Sequence, residues 1–146
     1  MTLNYGRPAP PEDFIIGALI PLGLPVTAER DQETGMPVIG AQPAGLPCYL
    51  VTALPAPECD NFLLQPLVSV HSFAATRDEA DIAAWNADDR LVSLTPGDIV
   101  TMPNGKTASA WVERTQVPAF AEYRDPFIKR YSARYRPLLR YMPTQS

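Results

Sequence analysis

Proline is the feature that most restricts how this chain can fold. The 146 residues include 17 prolines, more than twice the usual share of about 5%. Each proline fixes φ and removes a backbone donor, so helices and strands must largely fit between them. The 17 prolines and 8 glycines together stay below the level of about 25–30% that marks low-complexity chains, and 46% of the residues are hydrophobic. The composition therefore predicts a folded domain with several stiff, irregular connections.

Charge is divided unevenly along the chain. The net charge is −4. Residues 1–105 carry −9, from four Arg against thirteen Asp and Glu, whereas residues 106–146 carry +5, from eight Lys and Arg against three Asp and Glu. A strong nucleic-acid binder usually has a basic balance overall, and this chain has a pI near 4.9. Such an asymmetry can be neutralised within the subunit or between copies of it.

Cysteine usage and hydropathy favour a cytosolic protein. Cys48 and Cys59 form no CxxC motif and have only His71 as a further soft ligand, which excludes a four-ligand zinc site of that kind. Two reduced thiols are favoured over a disulfide. The longest charge-free stretch, 14–28, is too short to span a bilayer and follows no basic cluster, which argues against a membrane anchor and a secretory signal.

The chain begins with a Pro-rich segment and a short helix. Residues 1–11 are predicted to form an extended arm, because three prolines there prevent a helix. Glu12 and Asp13 place negative charge where the positive end of a helix dipole would lie. The helix is predicted to continue to about Ile20, where Pro21 stops it.

Three strands are predicted in the next part of the chain. The first is Leu24–Arg30, and the second is Cys48–Leu54, which lies inside a Pro/Gly-rich loop region over 35–66. The second strand is apolar on both faces, as expected for a strand covered on both sides. Leu67–Ala75 has the clearest strand pattern.

The longest predicted helix follows directly. Thr76 and Glu79 form a Thr-x-x-Glu capping box, which predicts a helix over about 77–94 that Pro96 and Gly97 terminate. Its inner stripe consists of small or apolar residues: Ala80, Ala83, Ala84, Ala87, Leu91 and Leu94. Four aspartates are expected mostly on its solvent side: Asp78, Asp81, Asp88 and Asp89.

A hairpin and a long final strand complete the pattern. Asn104-Gly105 between apolar runs is a strong hairpin signal and predicts strands over 98–102 and 107–115. After a bend at Pro118, a last strand is predicted from Phe127 to about Leu139. Alternation places one set of its residues on a mainly aromatic, buried face: Phe127, Lys129, Tyr131, Ala133, Tyr135 and Leu139. The other set includes a row of arginines: Ile128, Arg130, Ser132, Arg134, Arg136 and Leu138.

These elements predict an α+β fold. We expect a mixed, mostly antiparallel sheet of about four to five strands, with the short N-terminal helix and the longer crossover helix on one face. The single α+β domain would span 12–142, between the arm and a tail at 143–146.

Catalytic chemistry is largely missing from the sequence. His71 is the only histidine, and its neighbour Ser72 points to the opposite face of the strand. A pairing of His71 with a distant Ser109 or Ser132 stays open, although a structural role for the histidine is favoured. No Gly-rich phosphate loop is present, and Asp78 with its acidic neighbours is interpreted as a solvated first turn of a helix.

The arginine row admits three interpretations. Arg130, Arg134, Arg136 and Arg140 alternate with tyrosines, as in proteins that stack bases on aromatic rings and bind phosphates with arginine. Strand alternation, however, puts the tyrosines on the opposite face. The row could instead pair with acidic groups on an adjacent copy, such as the helix bearing the four aspartates, because the planar guanidinium suits carboxylates. It could also be an ordinary charged surface.

Three segments resemble the tail terminator proteins of long-tailed actinobacteriophages. Gln65–Ala80, with its Val-Ser-Val-His-Ser-Phe strand running into a helix, is similar to their central strand and crossover helix. Met102-Pro-Asn-Gly-Lys106 is similar to their hairpin turn, and Arg130–Arg136 to their aromatic, arginine-rich last strand. The resemblance covers about residues 12–140, is strongest over 65–140, and is poor over the Pro-rich 35–66 segment.

The resemblance implies a structural virion protein. Such terminators are α+β subunits of a hexameric ring that caps the head-proximal end of the tail tube, ends tube polymerisation and joins the tail to the neck. It implies contacts with the tube and neck proteins, DNA passing through the lumen, and neither catalysis nor a cofactor. The alternatives are another neck protein such as a head-side stopper, and a small nucleic-acid-binding module that uses Arg130–Arg140.

Overall fold

The computed structural model describes residues 4–5, 11–54, 63–64, 67–140 and 143–144, with side chains over 11–54 and 67–138. The described helices are α1 (Pro11–Leu19), which continues into a 3₁₀ turn (Ile20–Leu22), and α2 (Arg77–Val92). The described strands are β1 (Asn4–Tyr5), β2 (Val26–Thr27), β3 (Val38–Ile39), β4 (Gln42–Pro43), β5 (Cys48–Leu54), β6 (Leu63–Leu64), β7 (Leu67–Ala74), β8 (Val100–Thr101), β9 (Thr107–Ala108), β10 (Trp111–Ala121), β11 (Lys129–Arg140) and β12 (Pro143–Thr144).

The main sheet has the strand order β10-β11-β7-β5-β2. Adjacent strands of this sheet are antiparallel, except that β2 runs parallel to β5. The short β6 pairs with the end of β11 in the same register as β7. Three further pairs, β1–β12, β3–β4 and β8–β9, form small antiparallel sheets. The prediction of an α+β fold around a mixed, mostly antiparallel sheet is confirmed.

Local signals account for both helices. Pro11 and the acidic Glu12 and Asp13 occupy the first turn of α1, where a missing N–H and negative charge are favourable. The Thr76 hydroxyl accepts a hydrogen bond of 3.2 Å from the Glu79 backbone N–H, as the capping box predicts. All six residues of the predicted inner stripe are buried.

Both helices pack on the same face of the main sheet, around the larger core. Small side chains bring the elements close together: a Cβ at Gly17 of α1 would collide with the Thr101 carbonyl oxygen of β8. The core combines residues of both helices and four sheet strands: Phe14, Ile15, Leu19, Tyr49, Val51, Val68, Val70, Ala83, Ala87, Leu91, Val112, Ala133 and Tyr135.

A second, smaller core lies on the other face. Cys48, Leu50 and Phe73 are buried there beneath Ala44, with Tyr123 and Ile128 packed against them. The loop around β3 and β4 therefore packs on the sheet. Burial raises the pKa of the Cys48 thiol to about 11, so this cysteine is protonated at neutral pH.

Two strand predictions are wrong in their extent. The strand predicted over 24–30 is only Val26–Thr27, because the chain then turns away to bridge Arg30 with Pro37. The strand predicted over 107–115 is divided, since β9 pairs with β8 and β10 joins the main sheet.

The region around Pro118 also differs from its prediction. Pro118 lies inside the edge strand β10, at a register shift between Gln116 and Ala119, instead of at a bend that ends a strand. An edge strand with a bulge tolerates a residue that cannot donate to the ladder. The last strand begins at Lys129 instead of Phe127, because residues 125–128 form a turn.

Parts of two predicted segments lie outside the described residues. These are residues 1–3 and 6–10 of the predicted arm, and 55–62 and 65–66, with Cys59, of the predicted loop region. In the part of the chain that is described, no helix is long and apolar enough to cross a membrane.

Candidate functional site

The face of the main sheet opposite the two described helices carries the polar side chains of the central strands. We call this surface the polar face and define it by Thr52, Ser69, His71, Glu113, Gln116, Arg130, Ser132, Arg134 and Arg136. Strand register aligns Leu50, His71 and Ser132 in one row. Thr52, Ser69 and Arg134 form the next row, so residues from three strands meet at the centre of this face.

The predicted alternation of β11 is confirmed over 130–136, whereas Phe127, predicted on the buried face, is 83% exposed. Tyr131, Ala133 and Tyr135 are buried on the helix side, whereas Arg134 is exposed on the polar face. Arg130 and Arg136 are half-buried. The fourth arginine of the predicted row, Arg140, pairs through its backbone with Leu63, and its side chain lies outside the described part of the structure.

The two half-buried arginines retain unused hydrogen-bonding capacity. Arg130 donates from Nη2 to the Glu122 carbonyl oxygen at 2.8 Å and lies 5.6 Å from the centre of the Tyr123 ring. Arg136 Nη1 is 3.9 Å from Glu113 Oε2, which is a loose ion pair. Among the described residues, the buried Nε atoms of Arg130 and Arg136 have no hydrogen-bond partner.

A further arginine of this region was not predicted from the sequence. Arg30 Nη2 donates to Thr52 Oγ1 at 2.7 Å, which brings Arg30 to the polar face. Its position follows from the Arg30–Pro37 bridge and from the pairing of β2 with β5. Nothing in the local sequence around Arg30 indicates this placement.

His71 and Ser132 form a pair at the centre of the polar face. Their Nδ1 and Oγ atoms are hydrogen-bonded 2.7 Å apart. Burial, followed by the positive charges of Arg130, Arg30 and Arg134, lowers the pKa of His71 to about 4. The imidazole is therefore neutral at pH 7. Of the two distant serines left open by the sequence, the structure brings Ser132 to the histidine.

The histidine–serine pair has only part of the geometry that nucleophilic catalysis requires. A catalytic base is normally oriented by a third group, often a carboxylate. Within the described ranges, no carboxylate is hydrogen-bonded to His71. The same residues contain no group of three His, Cys, Asp or Glu side chains that could hold a metal ion. The arginines around this pair, Arg30, Arg130 and Arg134, instead form a cationic surface suited to binding carboxylates or other anions.

Asp88 corrects the sequence prediction. It was expected on the solvent side of α2 as a candidate interface residue, but it is only 1% exposed. Its Oδ1 accepts a hydrogen bond from the Tyr135 hydroxyl at 2.9 Å, and its Oδ2 accepts one from Arg114 Nη1 at 2.7 Å. These partners make the burial of the charge tolerable. Both oxygens are engaged within the subunit, so Asp88 does not present its charge to another copy.

The other candidate aspartates remain on the surface of α2. Asp78 and Asp89 are exposed and Asp81 is half-buried. Two arginines on the same helix also bind within the subunit: the exposed Arg77 stacks 4.4 Å from the centre of the Phe120 ring, and the half-buried Arg90 donates to the Ala18 carbonyl oxygen at 3.0 Å. One side of the sheet thus presents arginines and the other presents a helix with acidic side chains.

No protein-family model matches this chain, and no curated protein matches it closely enough to indicate a family.

Proposed function

We propose that this protein is a structural subunit of a phage tail, a tail terminator that self-assembles into a ring. The ring would cap the head-proximal end of the tail tube, end tube polymerisation and join the tail to the neck. Its partners would be further copies of the chain, the tube protein and a neck protein, with DNA passing through the lumen without specific binding. The protein would act in the virion after assembly in the host cytoplasm.

The observation that supports this proposal is the opposite charge of the two sides of the molecule. The polar face presents Arg134 together with the partly satisfied Arg130 and Arg136. The opposite side presents the aspartates of α2. A surface of one kind that binds a different surface of the next copy makes a heterologous contact, and repetition of that contact gives a ring when the rotation closes.

The chemistry of the arginines suits a protein partner. Guanidinium groups bind carboxylates through paired hydrogen bonds, and partly desolvated arginines are common in interfaces. Single-stranded nucleic acid is usually held by arginines with aromatic rings beside them. Tyr131 and Tyr135 are buried on the opposite side of β11, so they cannot stack on bases bound at the polar face. Tyr123, the ring beside Arg130, is partly buried against Phe73.

Charge reversal at the polar face tests the proposal. Arg134→Glu should abolish ring assembly while leaving the melting temperature nearly unchanged, because Arg134 is exposed. Lys106→Glu is the matched control, since it makes the same change in an exposed hairpin turn away from the polar face. Sedimentation velocity measures assembly, and electron microscopy of tails made with each variant measures tube length.

Several outcomes would contradict the proposal. Full assembly and normal tail lengths with Arg134→Glu would show that the polar face does not form the contact between subunits. Localisation to the head side of the neck would favour the head-side stopper. DNA affinity that falls with salt and is lost in Arg134→Ala would favour the nucleic-acid-binding module.

A further inference from the structure

The centre of the polar face concentrates positive charge that the described residues do not neutralise. Arg30, Arg130 and Arg134 all act on one imidazole, because their charges are among the causes that lower the pKa of His71. No carboxylate of the described residues is among those causes. None of the three arginines forms an ion pair with another residue of the described ranges. Like charges held close together repel one another, so this cluster favours a bound anion.

The side chains around His71 do not change this balance. Its neighbours in the sheet are uncharged: Leu50 on β5, Ser132 on β11 and Ala119 on β10. Glu113 is loosely paired with Arg136, and Asp31 Oδ1 accepts a hydrogen bond from the Glu33 backbone N–H at 2.8 Å. The other acidic side chains of the flanking segments are exposed to solvent: Glu29, Glu33 and Glu122.

The pair of His71 and Ser132 keeps one donor for a ligand in either tautomer. Where the Ser132 hydroxyl donates to Nδ1, the imidazole carries its proton on Nε2. Where Nδ1 donates to Oγ, the hydroxyl proton is not used within the pair. Both residues are half-buried, so the pair is partly open to solvent. One N–H or O–H is therefore left to donate beside the arginines.

Arg134 differs from the other two arginines in how it is held. Arg30 donates to Thr52 Oγ1 at 2.7 Å and Arg130 donates to the Glu122 carbonyl oxygen at 2.8 Å, so both guanidiniums are fixed within the subunit. Arg134 is exposed, and its side chain donates no hydrogen bond to the described residues. Two fixed cations beside one open guanidinium make a pre-organised anion site.

These donors match a carboxylate. Its two oxygens lie in one plane and can be bound together by one edge of a guanidinium, while a further donor binds either of them. A phosphodiester of nucleic acid is usually bound together with a base that stacks on an aromatic ring. Tyr131 and Tyr135 cannot serve as that ring, because they are buried on the other side of β11.

We propose that the centre of the polar face is a receptor for one carboxylate group, bound by the Arg134 guanidinium and by the remaining donor of the His71–Ser132 pair. Arg30 and Arg130 add favourable charge without giving up their own contacts. The source of the carboxylate rests on the proposed function: it is an aspartate or glutamate side chain of another copy. A small free acid carries the same group, and the experiment separates the two sources.

The single histidine of the sequence reports on the site directly. Its ring Cε1–H signal in the NMR spectrum of the untagged protein should shift saturably with a blocked aspartate, N-acetyl-aspartic acid α-methylamide, which carries one side-chain carboxylate. A bound negative charge opposes the arginines and should raise the pKa of His71 above about 4. The complex then binds more protons than the free protein, so the affinity should be about threefold or more higher at pH 5 than at pH 7.

Arg134→Gln tests the role of the open guanidinium. It should weaken binding of the blocked aspartate about tenfold or more, because the charge-assisted paired hydrogen bonds are lost. The melting temperature should stay close to that of the unmodified protein, since Arg134 is exposed. Lys106→Gln removes an exposed cation from the hairpin turn away from the polar face, so this matched control should bind like the unmodified protein.

Three results would overturn the receptor. The first is equal binding of the blocked aspartate by Arg134→Gln and by the unmodified protein. The second is an affinity that does not change between pH 5 and pH 7, which would exclude His71 from the site. The third is binding of inorganic phosphate about tenfold tighter than binding of the blocked aspartate, which would assign the site to another class of anion.

Sedimentation velocity separates the two sources of the carboxylate. If side chains of other copies occupy the site, saturating blocked aspartate or succinate should dissociate the assembly, and sodium chloride of equal ionic strength should not. Binding of both acids without any effect on assembly would keep the receptor, assign it to a free acid and show that the polar face does not form the contact between subunits. An unmodified protein that binds the acids but stays monomeric and is missing from tails would instead overturn the proposed function.

Discussion

The two faces of the main sheet share the same strands but hold their charges in different ways. On the helix-covered face, Asp88 is 1% exposed and binds both Tyr135 and Arg114. On the polar face, Glu113 and Arg136 lie 3.9 Å apart with side chains 55% and 32% exposed. The Asp88 carboxylate is part of the core, whereas the Glu113–Arg136 pair remains in contact with solvent.

This difference separates charges that stabilise the fold from charges available for binding. A buried carboxylate loses its hydration, so its protein partners must replace the lost interactions and are not free for other ligands. Half-exposed arginines keep part of their hydration and can exchange it for an acceptor on another molecule. The exposed charges of the polar face therefore contribute little to folding and supply much of the surface suited to recognition.

The largest expected effect comes from placing a new charge in the core on the helix-covered side. Ala110 is 2% exposed. Ala110→Asp should unfold the domain, because burial of an unpaired carboxylate costs several kcal/mol, a large part of a typical stability of about 5–15 kcal/mol. Ser109→Asp at the exposed neighbouring position should remain folded. Circular dichroism and urea titration compare the two, and a native-like Ala110→Asp would show that this residue is not in the core.

The next effect comes from removing the existing buried charge. Asp88→Ala should reduce the free energy of unfolding by about 1–3 kcal/mol, because it leaves the buried Tyr135 hydroxyl without a partner, whereas the Arg114 side chain is 38% exposed and can be rehydrated. The exposed Asp89 supplies the control, and Asp89→Ala should change that free energy by less than about 0.5 kcal/mol. Equal effects in urea titrations of the two variants would contradict the distinction between the faces.

The histidine of the polar face should make stability depend on pH. The pKa of His71 is lowered from 6.5 to about 4 in the folded protein, so the unfolded chain binds more protons between these values. The free energy of unfolding should therefore fall as the pH decreases from about 6.5 to 4, by at most about 3 kcal/mol. His71→Gln should lack this contribution. Denaturant titrations of both proteins at pH 7 and 4.5 measure the difference, and parallel pH profiles would refute it.

The smallest effect is expected for the exposed ion pair. Glu113→Gln should lower the free energy of unfolding by less than about 0.5 kcal/mol, because solvent screens a pair of this exposure and its 3.9 Å separation is long. A double-mutant cycle with Arg136→Gln isolates the interaction between the two side chains. A coupling energy above about 1 kcal/mol would mean that the polar face also stabilises the fold.

Features that depend on near neighbours in the chain were predictable. Thr76 and Glu79 indicated the start of α2, Asn104-Gly105 indicated the β8–β9 turn, and the alternation of Tyr131 and Arg134 indicated the two sides of β11. Each follows from the geometry of one helix turn, one tight turn or one strand. The arginine row of the candidate site was found in this way.

Features that depend on distant partners were not predictable. A carboxylate in mid-helix is normally exposed, and Asp88 is buried only because β10 and β11 bring Arg114 and Tyr135 to it. The same applies to Arg30, whose donation to Thr52 depends on the folding of the chain between β2 and β5. The Phe127 turn was predicted as part of a strand, because alternation alone does not show where a strand begins.

The amino-acid sequence by itself determined the elements of this protein and the face to which each strand residue points. Periodicity and capping act over a few residues and do not require the rest of the fold. Only the tertiary structure decided which polar groups meet, as His71 and Ser132 do across 61 residues of sequence. Such pairs are set by strand register, and register results from the packing of the whole sheet against its helices.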